Sequence, residues 1–272
     1  MVQQLSLFSA IDDESYDLCI STLATLSGKP PILFSSFSAM FKPNPSYEIE
    51  RVNSKNQLVE QNRIKLCKEL SINDFSQGKY PKDYNLLKQF TTDDLANFDI
   101  SKLTDLMNGS SDPDKMDVDE CESSISGNSW CLNISDIPSA GGNRSVSMQS
   151  ITESIILSSG GSSASIISFL SELGYILDFQ NITLGVKLNM ANDVCLELSK
   201  IWHLDGQKTV QKTKGGFLIK AYVNVAKGTD IKSINQGISS LASLQKDLSG
   251  YIDLEIPDRK AMDSRLDNLD DI

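Results

Sequence analysis

Between Tyr175 and Met190 the chain alternates in period two, and the alternation slips once. Tyr175, Leu177 and Phe179 hold the odd positions, whereas Ile182, Leu184, Val186, Leu188 and Met190 hold the even ones, so the slip falls at Gln180–Asn181. Side chains of a strand point to its two faces in turn, so a one-residue slip carries every later side chain to the opposite face. A bulge or a tight turn must absorb it. Long strands with bulges are what a sheet uses to curl on itself, which points to a barrel.

The flanking sequence has the same period. From Gly216 to Ala226, Phe217, Ile219, Ala221, Val223 and Val225 alternate with Leu218, Lys220, Tyr222 and Asn224. After a turn at Asn189–Asp193, the residues Val194, Leu196, Leu198, Lys200, Trp202 and Leu204 form one face, opposite Cys195, Glu197, Ser199, Ile201 and His203. Weaker strand patterns occur at Gln3–Phe8, Ile32–Phe41, Arg63–Leu66, Trp130–Ile137, Ile151–Leu157 and Tyr251–Ile256.

Three helices interrupt them. The strongest spans 231–249: Asp230 can cap it, Ile231, Ile234, Ile238, Leu241, Leu244 and Leu248 recur at helical spacing, and Gly250 ends it. A second spans 13–27, with Asp12, Asp13 and Glu14 at its positive end and the apolar set Tyr16, Cys19, Ile20, Leu23 and Leu26. Leu18 lies outside that set. The third, Ser163–Leu173, carries Ile166, Leu170 and Leu173 on one side. The expected fold is α+β, mainly β: an antiparallel β-barrel with a few covering helices.

The net charge of −11 is confined to two places. Residues 93–122 hold ten acids against two bases, and 263–272 hold four acids against Arg265; the rest of the chain is balanced. The expected organisation is one barrel domain over 1–272, a disordered acidic insert at 108–128 without a periodic apolar set, and an acidic C-terminal tail at 263–272. A neutral body offers no field for phosphates, so direct nucleic-acid binding is not expected. No apolar run approaches the ~18 residues of a membrane-spanning helix. The start, MVQQLSLFSAIDDES, lacks the basic region of a secretory signal, and the five cysteines show no CxxC spacing, so reduced intracellular thiols are expected.

Little in the chain reads as catalysis. His203 is the single histidine and has no partner that spacing reveals. Glu48 and Glu50 form a Glu-x-Glu pair; on a strand both carboxylates share one face and can hold a divalent cation, although a solvated loop after Asn44-Pro45 is the plainer reading. Glu197 and Lys200 suit a ladder pair or barrel lining. Gly141-Gly142-Asn143-Arg144 and Gly160-Gly161 match no phosphate-binding pattern and read as turns. No catalytic, cofactor-binding or metal-binding residue is assigned, and no cofactor is expected.

The segments MVQQLSLFSAI, KPNPSYEIERVNSKNQLVEQNRIKL, ISDIPSAGGNRSVSMQSI, LGYILDFQ, GGFLIKAYVNVAKGTD and PDRKAMDSR are long and irregular. They resemble the Mediator subunit 18 family of the budding-yeast type, over most of 1–70 and 129–265. That resemblance implies a barrel like that of the tunnel-type RNA triphosphatases, without their activity. It implies a non-enzymatic subunit of the Mediator coactivator's head module, located in the nucleus and bridging regulators and RNA polymerase II by protein–protein contacts. The partners it implies are Mediator subunit 20 (a similar barrel), a helix of Mediator subunit 8, other head subunits and the RNA polymerase II machinery, with no nucleic acid and no membrane. Which barrel face meets which partner has no sequence signal. The competing reading is a divergent tunnel-type, metal-dependent triphosphatase using Glu48 and Glu50; it requires both inside the barrel with further acids opposite.

Overall fold

The computed structural model describes residues 1–47, 62–70, 83–95, 107, 129–140, 144–157, 165–205 and 208–265. The strands are β1 (Val2–Asp12), β2 (Ile32–Pro43), β3 (Ile64–Glu69), β4 (Ser129–Ser135), β5 (Ser147–Leu157), β6 (Tyr175–Asn189), β7 (Cys195–Asp205), β8 (Lys208–Gln211) and β9 (Gly216–Val225). All pair antiparallel. The order β2-β3-β4-β5-β1-β9-β7-β6 closes through the β2–β6 ladder into an eight-stranded barrel, and β8 adds to the end of β7.

The phase slip is present and has moved. On β2, Met40 pairs with Phe179 and Phe41 pairs with Leu177, leaving Asp178 as the extra residue of a bulge. Opposed residues share a face, so Tyr175 and Leu177 lie on the same side as Gln180, Ile182 and Leu184, and Phe179 lies on the other. The break therefore sits two residues before the expected Gln180–Asn181. Asp178 gains two cations there: Lys42 Nζ at 3.2 Å and Arg63 Nε at 3.1 Å.

The ladders divide the wall into an apolar and a polar face. Leu5, Leu7, Phe37, Ala39, Leu66, Ile182, Leu184, Val186, Leu198, Trp202, Ile219 and Ala221 share the apolar face and are at most 1% exposed. The polar face bears Gln4, Lys65, Lys187, Glu197, Lys220 and Tyr222. Covering segments pack on the apolar face, with Tyr16 on Phe217, Phe90 on Trp202 and Gly237 against Leu5 and Val223, so the polar face points into the lumen. The barrel is thus polar within, and its main core lies between the outer wall and a jacket of covering segments.

The longest described parts of that jacket are three. α1 (Tyr16–Ser27) follows a 3-10 turn at Asp13–Ser15 and ends at Gly28, whose φ of 65° suits glycine; Tyr16 stacks on Phe217 of β9 at 4.3 Å. Residues 84–95, a 3-10 turn (Tyr84–Gln89) followed by α2 (Thr92–Leu95), bring Leu87, Phe90 and Leu95 into the core. α4 (Ile231–Leu248) is capped by Asp230, which accepts from the Ser233 amide at 3.1 Å, and lies over β1 and β9. Gly237 permits that approach: a Cβ there would stand 2.7 Å from the Leu5 Cδ1 and 3.2 Å from the Val223 Cγ1. A short α3 (Ile166–Glu172) leads into β6.

Several expectations are corrected by packing. The α4 stripe is buried only from its middle onward, with Leu241, Leu244 and Leu248 inside and Ile231 exposed. Leu26 on α1 and Leu173 after α3 are exposed rather than packed. Tyr251–Ile256 is not a strand. Ile252 and Leu254 alternate inward to the core, and only Glu255 bridges Phe8 of β1. From there the chain crosses one end of the barrel: Gln149 Nε2 donates to the Met262 carbonyl at 3.1 Å, and the Arg63 amide donates to Ser264 O at 2.9 Å. Of the acidic tail, Asp263 is ion-paired to Arg265 at 2.7 Å, while 266–272 and the insert 108–128 lie outside the described residues.

Candidate functional site

Among the described residues, the polar lumen draws side chains with chemistry from several strands. Its centre is Glu197 on β7. Tyr222 of β9 donates its hydroxyl to Glu197 Oε1 at 2.7 Å, and Lys187 of β6 approaches the same carboxylate at 3.9 Å. Lys187 and Lys220 lie over the Tyr222 ring at 5.9 and 5.0 Å, and Lys220 also lies over Phe8 at 5.8 Å. Gln4 donates to Asn224 at 2.9 Å on the same face. Burial, and then Cys195 and Glu197 beside it, push the Tyr222 hydroxyl far above the ordinary tyrosine range. It is a fixed donor, not an acid.

Glu197 is therefore engaged by a hydroxyl and an ammonium. Among the described residues no group of three histidine, cysteine or acidic side chains could hold a metal ion. Glu48 and Glu50, the pair on which the triphosphatase reading depends, lie outside the described residues. His203 is on the lumen face near the bulge, with Nδ1 3.1 Å from Asn181 Oδ1 and its ring 5.5 Å from Phe179.

Lys200 is not barrel lining. It sits on the outer face of β7, 2% exposed, paired to Asp13 at 2.9 Å, donating to the Lys88 carbonyl at 2.8 Å and resting over Phe217 at 4.7 Å. A lysine interrupting an apolar face reads as polar alternation, and nothing in the spacing reveals its partners. Trp202, on the outer face of β7, is covered by Phe90 at 5.8 Å, edge to face. The signal for that cover exists: Tyr84, Leu87 and Phe90 recur every three residues, but they stand beside the acidic run and are masked by it.

Lys220 makes the lumen sensitive to pH. Burial pushes its ammonium down to about 8 from an ordinary 10.5; Glu197 opposes the shift and Lys65 adds to it. The unfolded chain thus holds more protons than the folded one between about pH 8 and 10.5, so this group's contribution to stability rises with pH in that window. Below about pH 8 the penalty is fully present. Lys220→Met should raise the denaturation midpoint at pH 7, and the gain should shrink toward pH 10. Parallel pH profiles for the two proteins would show that Lys220 carries no such penalty.

Large apolar side chains are exposed in separate places. Leu18 and Leu26 lie on α1, Phe169 and Leu173 on and after α3, and Ile155 and Leu157 at the end of β5, on the face of the wall that Cys131 shares. Leu18 is 63% exposed and Ile155 76%.

Comparison with known proteins places this architecture. The family model described as Med18 protein matches residues 3–265. Mediator of RNA polymerase II transcription subunit 18 from Saccharomyces cerevisiae is 47% identical, covering 98% of each chain. The subunit of that name from Kluyveromyces lactis is 45% identical over 99% of this chain and 100% of the relative, and that from Eremothecium gossypii is 44% identical over the whole of both. Among solved structures, a chain of the Schizosaccharomyces pombe Mediator head module superposes with a TM-score of 0.60 at 11% identity, covering 97% of this chain and all of that one. That last likeness is one of fold.

Proposed function

The chain belongs to the Med18 protein family, and we propose that it works as a non-enzymatic subunit of the Mediator coactivator of RNA polymerase II transcription. The observation that carries this reading is kinship along the whole length, with near-complete coverage of both chains by relatives of that name. It acts by protein–protein contact in the head module, in the nucleus. Its nearest partners are a second barrel, Mediator subunit 20, and a helical tether from Mediator subunit 8; through the head it meets the polymerase machinery.

Physical features agree with a scaffold. The lumen's central carboxylate is spent on Tyr222 and Lys187 rather than left free for a cation. The exposed apolar side chains on α1, after α3 and at the end of β5 supply surface that partners can remove from water. The chain outside the acidic segments is electrically balanced, so it does not bind a duplex on its own.

The test is coexpression with the candidate head subunits followed by size-exclusion chromatography, beside a duplex titration at low salt. Co-elution in a stable heteromer and no DNA binding are expected. A monomer that ignores those subunits and holds DNA tightly overturns the reading.

A further inference from the structure

We propose that Cys67 and Cys131 are a redox-active pair, which a peroxide converts to a disulfide across the β3–β4 seam of the barrel wall. The two residues are directly opposed in register on antiparallel strands. Opposed Cα atoms in such a ladder stand about 4.5–5.5 Å apart, inside the about 4.4–6.8 Å window of protein disulfides. Both thiols are free, on the lumen face, and only partly buried. A single amide touches both sulfurs: Cys131 Sγ donates to Asn133 Oδ1 at 3.4 Å, and Asn133 Nδ2 donates to Cys67 Sγ at 3.8 Å. The sulfurs are therefore on the same side of the ribbon, with one turnable side chain between them. The other described cysteines differ. Cys19 is buried on α1, and Cys195 is buried opposite Asn189 and Tyr222.

The seam gives the bond a consequence. β3 and β4 pair only through Lys65–Cys67 and Cys131–Asn133, the shortest ladder closing the barrel among the described residues. A covalent link there joins the two strands where hydrogen bonding is least. It also closes a loop of 65 residues, counting both cysteines, and so restricts the unfolded chain.

The chemistry balances with hydrogen peroxide as the oxidant. Burial and the neighbouring Glu153 push the Cys131 thiol up, so the thiolate of Cys67 attacks a peroxide oxygen; the O–O bond breaks, and the departing oxygen leaves as water after taking a proton. The sulfenic acid that remains is attacked by the second sulfur. The S–S bond forms, the S–O bond breaks, and a second water leaves. Two thiols lose two electrons and two protons, and one peroxide becomes two waters. A small thiol reverses the reaction by exchange.

The experiment treats the folded full-length chain with about one equivalent of hydrogen peroxide, quenches with an alkylating reagent and maps the peptides by mass. The expected product is a Cys67–Cys131 cross-linked peptide, with two of the five thiols protected from alkylation and recovered by dithiothreitol. The melting midpoint should rise by roughly 5–10 °C on oxidation. That rise should vanish in Cys67→Ser and in Cys131→Ser and persist in Cys121→Ser. Mapping on the unaltered chain does not depend on any variant folding. Five alkylated thiols after treatment, a bridge that uses Cys121 instead, or sulfinic acid at Cys67 or Cys131 without a bridge would each overturn the proposal.

Discussion

Trp202→Ala is expected to lower stability by about 3–5 kcal/mol, the range for deleting a fully buried aromatic side chain. Trp202 is 0% exposed. On β7 it stands opposite Ile182 of β6, itself 0% exposed, and Phe90 closes over it edge to face at 5.8 Å. The loss has two sources: the apolar surface returned to water, and a cavity that the rigid barrel wall cannot collapse. Phe90→Ala should cost a similar sum, and the double variant less than the two together, because both substitutions open one contact. Guanidinium unfolding followed by far-ultraviolet circular dichroism reads all three. An unchanged midpoint for Trp202→Ala would mean that the 84–95 cover stands off the wall in solution, which would add this face to the partner surfaces.

How much of this was legible depended on whether neighbouring signals agreed. β9 could be read directly because Phe217, Ile219, Ala221, Val223 and Val225 all face the jacket, while Lys220, Tyr222 and Asn224 face the lumen or water. The slip in β6 was legible as a slip but not in place. Phe179 is apolar yet stands on the lumen side beside His203, so it extends the odd-numbered pattern past the true break at Asp178. Tyr251–Ile256 alternates because Ile252 and Leu254 are buried beside the end of α4, where Gln245 binds the Leu254 carbonyl, not because it belongs to the sheet. The cover at 84–95 is hidden because its three apolar side chains adjoin the acidic run that begins at Asp93. Asp94 looks like part of a solvated acidic run, but its carboxylate accepts from the Thr91 amide at 2.9 Å as the helical turn begins. Of the lumen network only Glu197 was legible, as a ladder pair or barrel lining, and its partners were not. Glu197, Lys187, Lys220 and Tyr222 come from three strands, and only the register brings them together.

The Asp13–Lys200 pair gives the second large effect, and the two partners should respond unequally. Lys200 is 2% exposed and the Asp13 side chain 36%, so water reaches part of Asp13 but not the ammonium, and the Oδ1 that faces Lys200 is buried with it. Asp13→Ala leaves a buried cation whose remaining support is the Lys88 carbonyl and the face of Phe217. Breaking a buried pair from one side costs about 3–5 kcal/mol, and the partial exposure of Asp13 brings the expectation to about 2–4 kcal/mol. Lys200→Met removes the charge altogether and keeps most of the volume. It gives up one hydrogen bond to Lys88 and escapes the desolvation of the ammonium, so its cost should be under about 1 kcal/mol. Adding Lys200→Met to Asp13→Ala should then restore most of the stability that Asp13→Ala loses. The pair ties three elements together at one point: β7, the turn that opens α1, and the Tyr84–Gln89 turn. If Lys200→Met proves as damaging as Asp13→Ala, the ammonium does more than neutralise a charge, and its bond to Lys88 is what seats the 84–95 cover on the barrel. Denaturant midpoints of the two single variants and the double variant separate these outcomes.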